Sequence, residues 1–342
     1  MSSTHAGRLK EKKILSYIDK HKDKILEEHG LSKENALFVK ELKFPHGRAD
    51  AVIYGLYEDL YVIPIGIEVK TTIVSGTELY YHINQIRETY EYAFPIIYLA
   101  TNKFKLDNNE GKKKEKESER SNIIKGYLGE IGYGLIEVDR DDINISLPAN
   151  PKKIPKSEYD YCEVTSKGLL YLATAKVLEG RGFKREHLRV TSLWIGVDAG
   201  ISYCGFTRGS YTVFGVYALG SNNVKRLSKF LLSKEPLVEK LKTEYKIYME
   251  SYLVMGGVKG YVHHLDESLS MSTLKTIHNI VEKKDKSVLS EGWGIGLGIY
   301  KPLWEVFFMP TYPTASQAID RTMEELADFH DLVSGSLREK PS

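Results

Sequence analysis

The chain reads as an α/β (α+β) protein of two parts, a central mixed sheet flanked by helices followed by a second mixed α/β domain. Three observations point there. Apolar periodicity switches between the helical and the strand period along the first part, giving helix, three strands, helix, strand, helix, strand. The stretch SLPANPKKIPK (146–156) carries three prolines and no periodicity, so a boundary is expected there, with domains at 1–150 and 156–342. At 342 residues, with 42% hydrophobic and 27% charged residues, the chain has the composition of a globular protein and the length of two ordinary domains.

The elements follow in order. Residues 8–29 place Leu15, Ile18, Ile25 and Leu26 at helical spacing, and Gly30 stops the helix. FVKELKF (38–44), a PHG turn, RADAVIYG (48–55) and YVIPIGIEVK (61–70) read as three strands of a meander. Residues 78–93 form a helix ending before the strand PIIYLAT, and the charged run KLDNNEGKKKEKESER reads as a loop. A helix or turn near 121–130 and the strand YGLIEVD (133–139) close the first part. Beyond the boundary come a helix at 166–180, strands in SLWIGVDAG and SYTVFGVYALG and one or two helices over 222–251. A helix at 270–284, a strand pair in GWGIGLGIYKPLWEVFFMP and a closing helix at 315–333 complete it.

Composition excludes several classes. No apolar run approaches the roughly 18–20 residues of a membrane helix, and MSSTHAGRLKEKK has no secretory pattern. Two cysteines, Cys162 and Cys204, build neither a disulfide framework nor a four-thiolate zinc site, so a reducing cytoplasm is the expected location. The formal charge of +2 excludes a global basic field, leaving a local patch as the only route to nucleic acid. The run between Lys103 and Lys125 holds eight basic and five acidic residues; it either reaches a phosphate backbone or is simply solvated.

The chemistry concentrates in three residues, Asp50, Glu68 and Lys70. Strand alternation sends Glu68 and Lys70 to one face of IGIEVK and Ile67 and Val69 to the other. A glutamate and a lysine ending an apolar strand are costly to bury without partners. An antiparallel meander brings Asp50 beside Glu68. A two-residue Pro45-His46 loop pairs Phe44 with Gly47, so Lys43 meets Arg48, Leu42 meets Ala49 and Glu41 meets Asp50. That register is expected to gather Glu41, Asp50, Glu68 and Lys70 on one face. Crowded carboxylates repel unless a divalent cation neutralises them, and oxygen ligands suit Mg²⁺, with Mn²⁺ as a substitute. A lysine beside them orients the attacking water or stabilises phosphoryl charge. The plain alternative is a surface ion pair between Glu68 and Lys70.

GRAD (47–50), a gap of 17 residues and Glu68-Val69-Lys70 resemble the motif of the PD-(D/E)xK nuclease superfamily, the restriction-endonuclease-like fold. The resemblance covers residues 8–145; Arg48-Ala49 stands where the family's proline would be. Gln85, with Tyr90 five residues on, is similar to the Gln/Tyr motif of RecB-like members. The resemblance implies a metal held by Asp50, Glu68 and the carbonyl of Val69, with Lys70 assisting water attack on a phosphodiester. It implies that a glutamate of the first helix, Glu11 or Glu28, sometimes completes the site.

Three features of the second half are tempting. WIGVDAGISYCGF is similar to the strand–turn–strand opening actin-like and RNase-H-like folds, where Asp198 would hold a metal, but no second acidic strand follows. Adjacent His263 and His264 point oppositely on a strand, which disfavours a shared metal. Gly292, Gly294, Gly296 and Gly298 alternate with period two, as in a close-packed strand rather than a phosphate loop. Tyrosines and phenylalanines over 203–252 serve either core packing or base stacking.

The expectation is a metal-dependent nuclease acting on DNA, as a homodimer when both strands are cut, with the second domain choosing the target or pairing subunits. The alternatives are a nucleic-acid-binding module that does not cut and a nuclease gated by a small ligand at the second domain.

Overall fold

The computed structural model describes residues 3–302 apart from 59–60, 72–75, 103–111, 140–141, 152–154, 181–183, 185–187, 191–193, 199–200, 209–210, 244, 256–257 and 284–293. The chain is a mixed α/β protein that divides into two compact units, one built mainly on Met1–Leu172 and the other mainly on Ala173–Arg189 and Trp194–Pro313. The expected closing helix at 315–333 lies outside the described residues, as does the second half of the expected strand pair after Pro302.

The first unit opens with α1 (Ser3–Lys20) and α2 (Lys22–Glu28), two helices where one was expected. Three long strands follow, β1 (Ser32–Phe44), β2 (Gly47–Tyr57) and β3 (Tyr61–Lys70). Helix α3 (Gly76–Thr89) runs into a 3₁₀ turn, Tyr90–Tyr92, and then β4 (Ile96–Asn102). Helix α4 (Lys112–Ile131) takes in most of the lysine- and glutamate-rich run expected to be a loop. Lys and Glu are good helix formers, and this run has no Gly or Pro between Lys112 and Ile124. Strand β5 (Gly134–Asp139) is followed by β6 (Asp142–Leu147), which pairs with it where only a boundary was expected.

These strands form one sheet in the order β1-β2-β3-β4-β5-β6. The first three pair antiparallel, β3, β4 and β5 run parallel, and β6 returns antiparallel. The parallel pairs need crossovers, supplied by α3 and α4. Helices α1 and α2 lay Ile14, Ile18, Ile25 and Leu26 on one sheet face, against Ile53, Ile67, Val69, Tyr98 and Ile136. The opposite face takes the end of α3 and the 3₁₀ turn. A Cβ added to Gly66 would lie 2.7 Å from Phe94 and 2.8 Å from Tyr90, so only glycine lets those rings sit down on β3.

The hairpin register is the expected one, with Leu42 opposite Ala49, Lys43 opposite Arg48 and Phe44 opposite Gly47. The face assignment beyond it changes. Glu41 sits at φ 53°, in the left-handed region, and twists β1 there. Before it, Ala36 and Phe38 belong to the core under α1 and α2. After it, Phe44 packs edge-on against Phe94, on the other face.

Helix α5 (Glu158–Gly180) begins earlier than expected, and its first half belongs to the first unit, so the units divide after Leu172 rather than in the proline-rich stretch. Ser157 caps it, accepting from the Asp160 amide at 3.2 Å. The buried Asp160 carboxylate then takes the His46 amide at 3.0 Å and the His46 ring at 2.8 Å, while His46 stacks on Tyr92 at 4.1 Å. Lys167 reaches the Lys43 carbonyl at 2.8 Å, and the Tyr54 hydroxyl donates to the Val164 carbonyl at 3.1 Å.

The second unit holds β7 (Arg189–Val190), β8 (Trp194–Asp198), β9 (Ile201–Arg208) and β10 (Tyr211–Leu219), then α6 (Ser221–Leu232) and α7 (Glu235–Leu241). Strands β11 (Lys246–Met255) and β12 (Val258–Ser268), helix α8 (Met271–Lys283) and β13 (Gly294–Pro302) complete it. The sheet order is β12-β11-β13-β10-β9-β8-β7. Helices α6, α7 and α8 cover one face through Val224, Leu227, Val238, Leu274 and Ile277. Residues 246–251, expected to be helical, form a strand instead; KIYMESYLVM alternates and is rich in residues that favour strands. Gly298 and Gly296 are strand residues whose missing side chains admit the rings of Tyr248 and Tyr217.

Asp160→Ala leaves the His46 amide without its acceptor and frees the start of α5. Chemical denaturation is expected to show a loss of about 2 kcal/mol; a loss within a few tenths would mean α5 is held by its apolar contacts alone.

Candidate active site

The site lies where β2 and β3 stop pairing. Their ladder ends at Ala51 opposite Ile67, one residue short of Asp50 and Glu68. Beyond it, side chains take over the backbone groups. The Val69 amide donates to Asp50 Oδ2 at 2.8 Å. The Asp50 amide donates to the Tyr90 hydroxyl at 2.9 Å. That hydroxyl donates in turn, with Glu68 Oε2 at 2.7 Å the nearer acceptor and the Ile67 carbonyl at 3.2 Å the farther. A phenol has one proton to give, so the shorter and charged contact is the stronger.

Glu68 is almost wholly buried, at 3% exposure. Its second oxygen meets Lys70 Nζ at 2.6 Å, and Lys70 keeps partial access to solvent. Glu68 is buried with a partner on each oxygen, so this is not a surface ion pair. The Asp50 carboxyl, hydrogen-bonded to Glu68, is pushed up to about 7 by burial first and by the negative charge of Glu68 second. The Val69 amide and Lys70 work against that rise. Burial, then Glu68 and Asp50, drive the Tyr90 phenol far above its ordinary value, so it stays a donor at any working pH.

The row continues across the sheet. Lys70 stands opposite Thr101 of β4, and Thr101 opposite Glu137 of β5. Glu137 lies 4.0 Å from Lys125 of α4. Thr101 is buried, and its hydroxyl has no hydrogen-bond partner. On α3, burial and then the charge of Lys70 lower the pKa of His82, while Glu78 and Glu68 pull it back up. His82 Nδ1 is also buried without a partner, while Nε2 lies 3.7 Å from Glu78.

The sequence-derived candidates divide accordingly. Asp50, Glu68 and Lys70 come together as expected. Glu41 does not join them: it is exposed at its left-handed position, and among the described residues nothing ties it to the three. Gln85 is exposed on α3, its carbonyl taken by Thr89 Oγ1 at 2.7 Å. Glu11 and Glu28 are exposed on α1 and α2, which pack against the Ile67 and Val69 face, away from Glu68 and Lys70. Tyr90 enters through its spacing from Gln85 and proves central. His82 and Thr101 were missed; His82 sits four residues after Glu78, the one spacing that could have flagged it.

No family model, curated protein or solved structure matches this chain. The chemistry therefore rests on the residues. Among the described residues no three His, Cys, Asp or Glu side chains form a metal-holding group. The donors available are two touching carboxyls, Asp50 and Glu68, with the backbone of Val69 beside them. Two such carboxyls cannot both ionise cheaply alone, and a hard divalent cation is what lets them do so. Carboxylate and backbone oxygens are the hard donors that Mg²⁺ and Mn²⁺ take, so the residues present fit such a cation.

Two outcomes follow. The raised Asp50 value means the native state holds this proton more tightly than the unfolded chain. Stability from this group is full below about pH 4 and falls as pH rises to about 7. In EDTA, Asp50→Asn is expected to gain on the wild type across that window, by about 2–4 kcal/mol at pH 8. Parallel stability curves for the two proteins would contradict this. Tyr90→Phe orphans the Asp50 amide and one Glu68 oxygen, and denaturation is expected to show a cost of about 1–3 kcal/mol; no cost would mean the hydroxyl is incidental.

Proposed function

We propose that this protein is a divalent-cation-dependent nuclease that hydrolyses phosphodiester bonds of DNA, with the first unit as its restriction-endonuclease-like catalytic part. The observation that carries this reading is the buried Glu68–Lys70 pair at 2.6 Å, set beside the hydrogen-bonded Asp50 carboxyl at the end of adjacent strands. A structural ion pair has no need of a second carboxyl kept near neutrality.

Asp50 and Glu68, with the Val69 carbonyl, would hold the cation. When bound, Mg²⁺ supplies Lewis-acid stabilisation of phosphoryl charge and makes water more acidic. The chain's own residues do the rest. The Val69 amide aims the Asp50 carboxylate, and the Tyr90 hydroxyl fixes one oxygen of Glu68. Lys70, mostly screened from solvent, presents a cation to a phosphate oxygen or to the attacking water. A P–O bond forms to water as the P–O3′ bond breaks, and the 3′ oxygen leaves with a proton, giving a 5′-phosphate and a 3′-hydroxyl.

The second unit is assigned to target choice or to pairing two copies, because it is a separate folding unit with its own sheet and helices. Cutting both strands of a duplex calls for two sites, and a homodimer supplies them.

The test is incubation of single-stranded, linear and supercoiled DNA, and of RNA, with Mg²⁺, Mn²⁺ or EDTA. Cleavage is expected with either metal and not with EDTA. Glu68→Ala and Lys70→Ala are expected to lower the rate by about a hundredfold or more. A folded protein that cuts nothing, or a Glu68→Ala variant that cuts as well as wild type, removes the nuclease reading.

A further inference from the structure

Strand β4 ends in a buried hydroxyl that the fold leaves without a partner. Tyr98 and Ala100 go to the core under α1 and α2, so the face shared with Glu68 and Lys70 receives Ile97, Leu99 and Thr101, all buried. Ile97 and Leu99 are apolar, as such a position demands. Thr101 is fully buried, and among the described residues its Oγ1 meets no hydrogen-bond partner. An orphaned buried hydroxyl is a standing cost, and valine would fill the same space and suit a strand without it. Folding alone favours valine at this position.

Thr101 stands between two charged groups. Its partner in register on β3 is Lys70 and on β5 is Glu137, and neighbouring strands lie about 4.8 Å apart. The three side chains share one sheet face, opposite Val69, Ala100 and Ile136. Lys70 has three protons to donate on a flexible four-carbon stem, and among the described residues its ammonium has one partner, Glu68 at 2.6 Å. Glu68 is also a ligand in the proposed cation site. An ammonium and a divalent cation on one carboxylate repel each other, and the ammonium, with half the charge and a mobile stem, gives way. The polar side chain opposite it on the next strand is Thr101. A hydroxyl can accept from the ammonium and still offer its own proton to the carboxylate on its other side. Glu137 is such a carboxylate, its contact with Lys125 stretched to 4.0 Å.

We propose that Thr101 is a positioning residue, whose hydroxyl receives the Lys70 ammonium when a divalent cation takes Glu68 and holds it at the reacting phosphate. This rests on the reading of Asp50 and Glu68 as a cation site and deepens it. Without the cation, Lys70 neutralises Glu68 and the hydroxyl stands idle. With the cation, Lys70 has a second place to donate, and Thr101 gains the partner it lacks.

The experiment compares the full chain with Thr101→Val and Thr101→Ser, by thermal unfolding in EDTA and by calorimetric titration with Mn²⁺ at pH 8. Thr101→Val is expected to melt about 2–4 °C higher than wild type, because the orphan is gone. It is also expected to bind Mn²⁺ about tenfold more weakly, because Lys70 loses its second place. Thr101→Ser keeps the hydroxyl and is expected to bind Mn²⁺ within about threefold of wild type, with no rise in melting temperature. In a Lys70→Met background, Thr101→Val is expected to change Mn²⁺ affinity by less than about twofold. A group that merely supported the fold would move stability and affinity in the same direction. Equal Mn²⁺ affinity in Thr101→Val and wild type overturns the proposal, as does a wild type that binds no Mn²⁺. A Thr101→Val protein that melts lower than wild type also overturns it, by showing that a buried water ties the hydroxyl into the fold. So does a weakening that persists in the Lys70→Met background. The result separates from the nuclease reading: Thr101-dependent Mn²⁺ binding by a protein that cuts no nucleic acid keeps the role of Thr101 and removes the nuclease. Cleavage and Mn²⁺ affinity both untouched by Thr101→Val do the reverse.

Discussion

At the end of the β2–β3 ladder, two strands that still lie side by side have stopped bonding to each other, and a single phenol holds the gap. Tyr90 accepts from the Asp50 amide and donates to Glu68, while the Asp50 carboxylate takes the Val69 amide. Without these bonds the opening would leave backbone groups and charges buried and unpaired, at a cost of about 1–3 kcal/mol for each group. The two carboxyls can sit together inside the fold only because hydroxyl, amide and ammonium surround them.

That constraint shapes the surrounding chain. The 3₁₀ turn after α3 delivers Tyr90, and Gly66 lies bare beneath it so that the ring can approach β3. Glu68 accepts from Tyr90 on one oxygen and meets Lys70 on the other, which leaves Asp50 as the group that keeps a proton in the absence of a cation. The polarity is confined to one face. Ile67 and Val69, the alternate residues of the same strand, are locked into the apolar core under α1 and α2. Substitutions in that core therefore act on the site through strand position, with no contact to the carboxyls.

Much of this was legible in the sequence, for identifiable reasons. Strands β2 and β3 announce themselves by long apolar runs, the short Pro45-His46 turn sets the register of β1 on β2, and an antiparallel meander brings Asp50 beside Glu68 even though the β2–β3 ladder stops one residue short of them. Glu41 defeated the same count because alternation assumes extended backbone, and one left-handed residue turns the following side chains over. The role of Tyr90 is a long-range contact made by a turn, which no periodicity encodes; only its spacing from Gln85 hinted at it. KIYMESYLVM follows two helices, and a short apolar run fits either period, so periodicity alone does not separate it from them. The anchoring of α5 on the first sheet depends on Asp160 meeting His46, 114 residues away in the chain, and the prolines before it drew the boundary too early.

The central claim is that Asp50 and Glu68 form one cation site in which a proton is held until the metal replaces it. Calorimetric titration with Mn²⁺ near pH 7, repeated in buffers of different ionisation enthalpy, measures binding and proton release together. The account predicts stoichiometric binding with release of about half a proton per Mn²⁺, and neither in Asp50→Asn. Binding with no proton released, or no binding to the folded wild type, would contradict it.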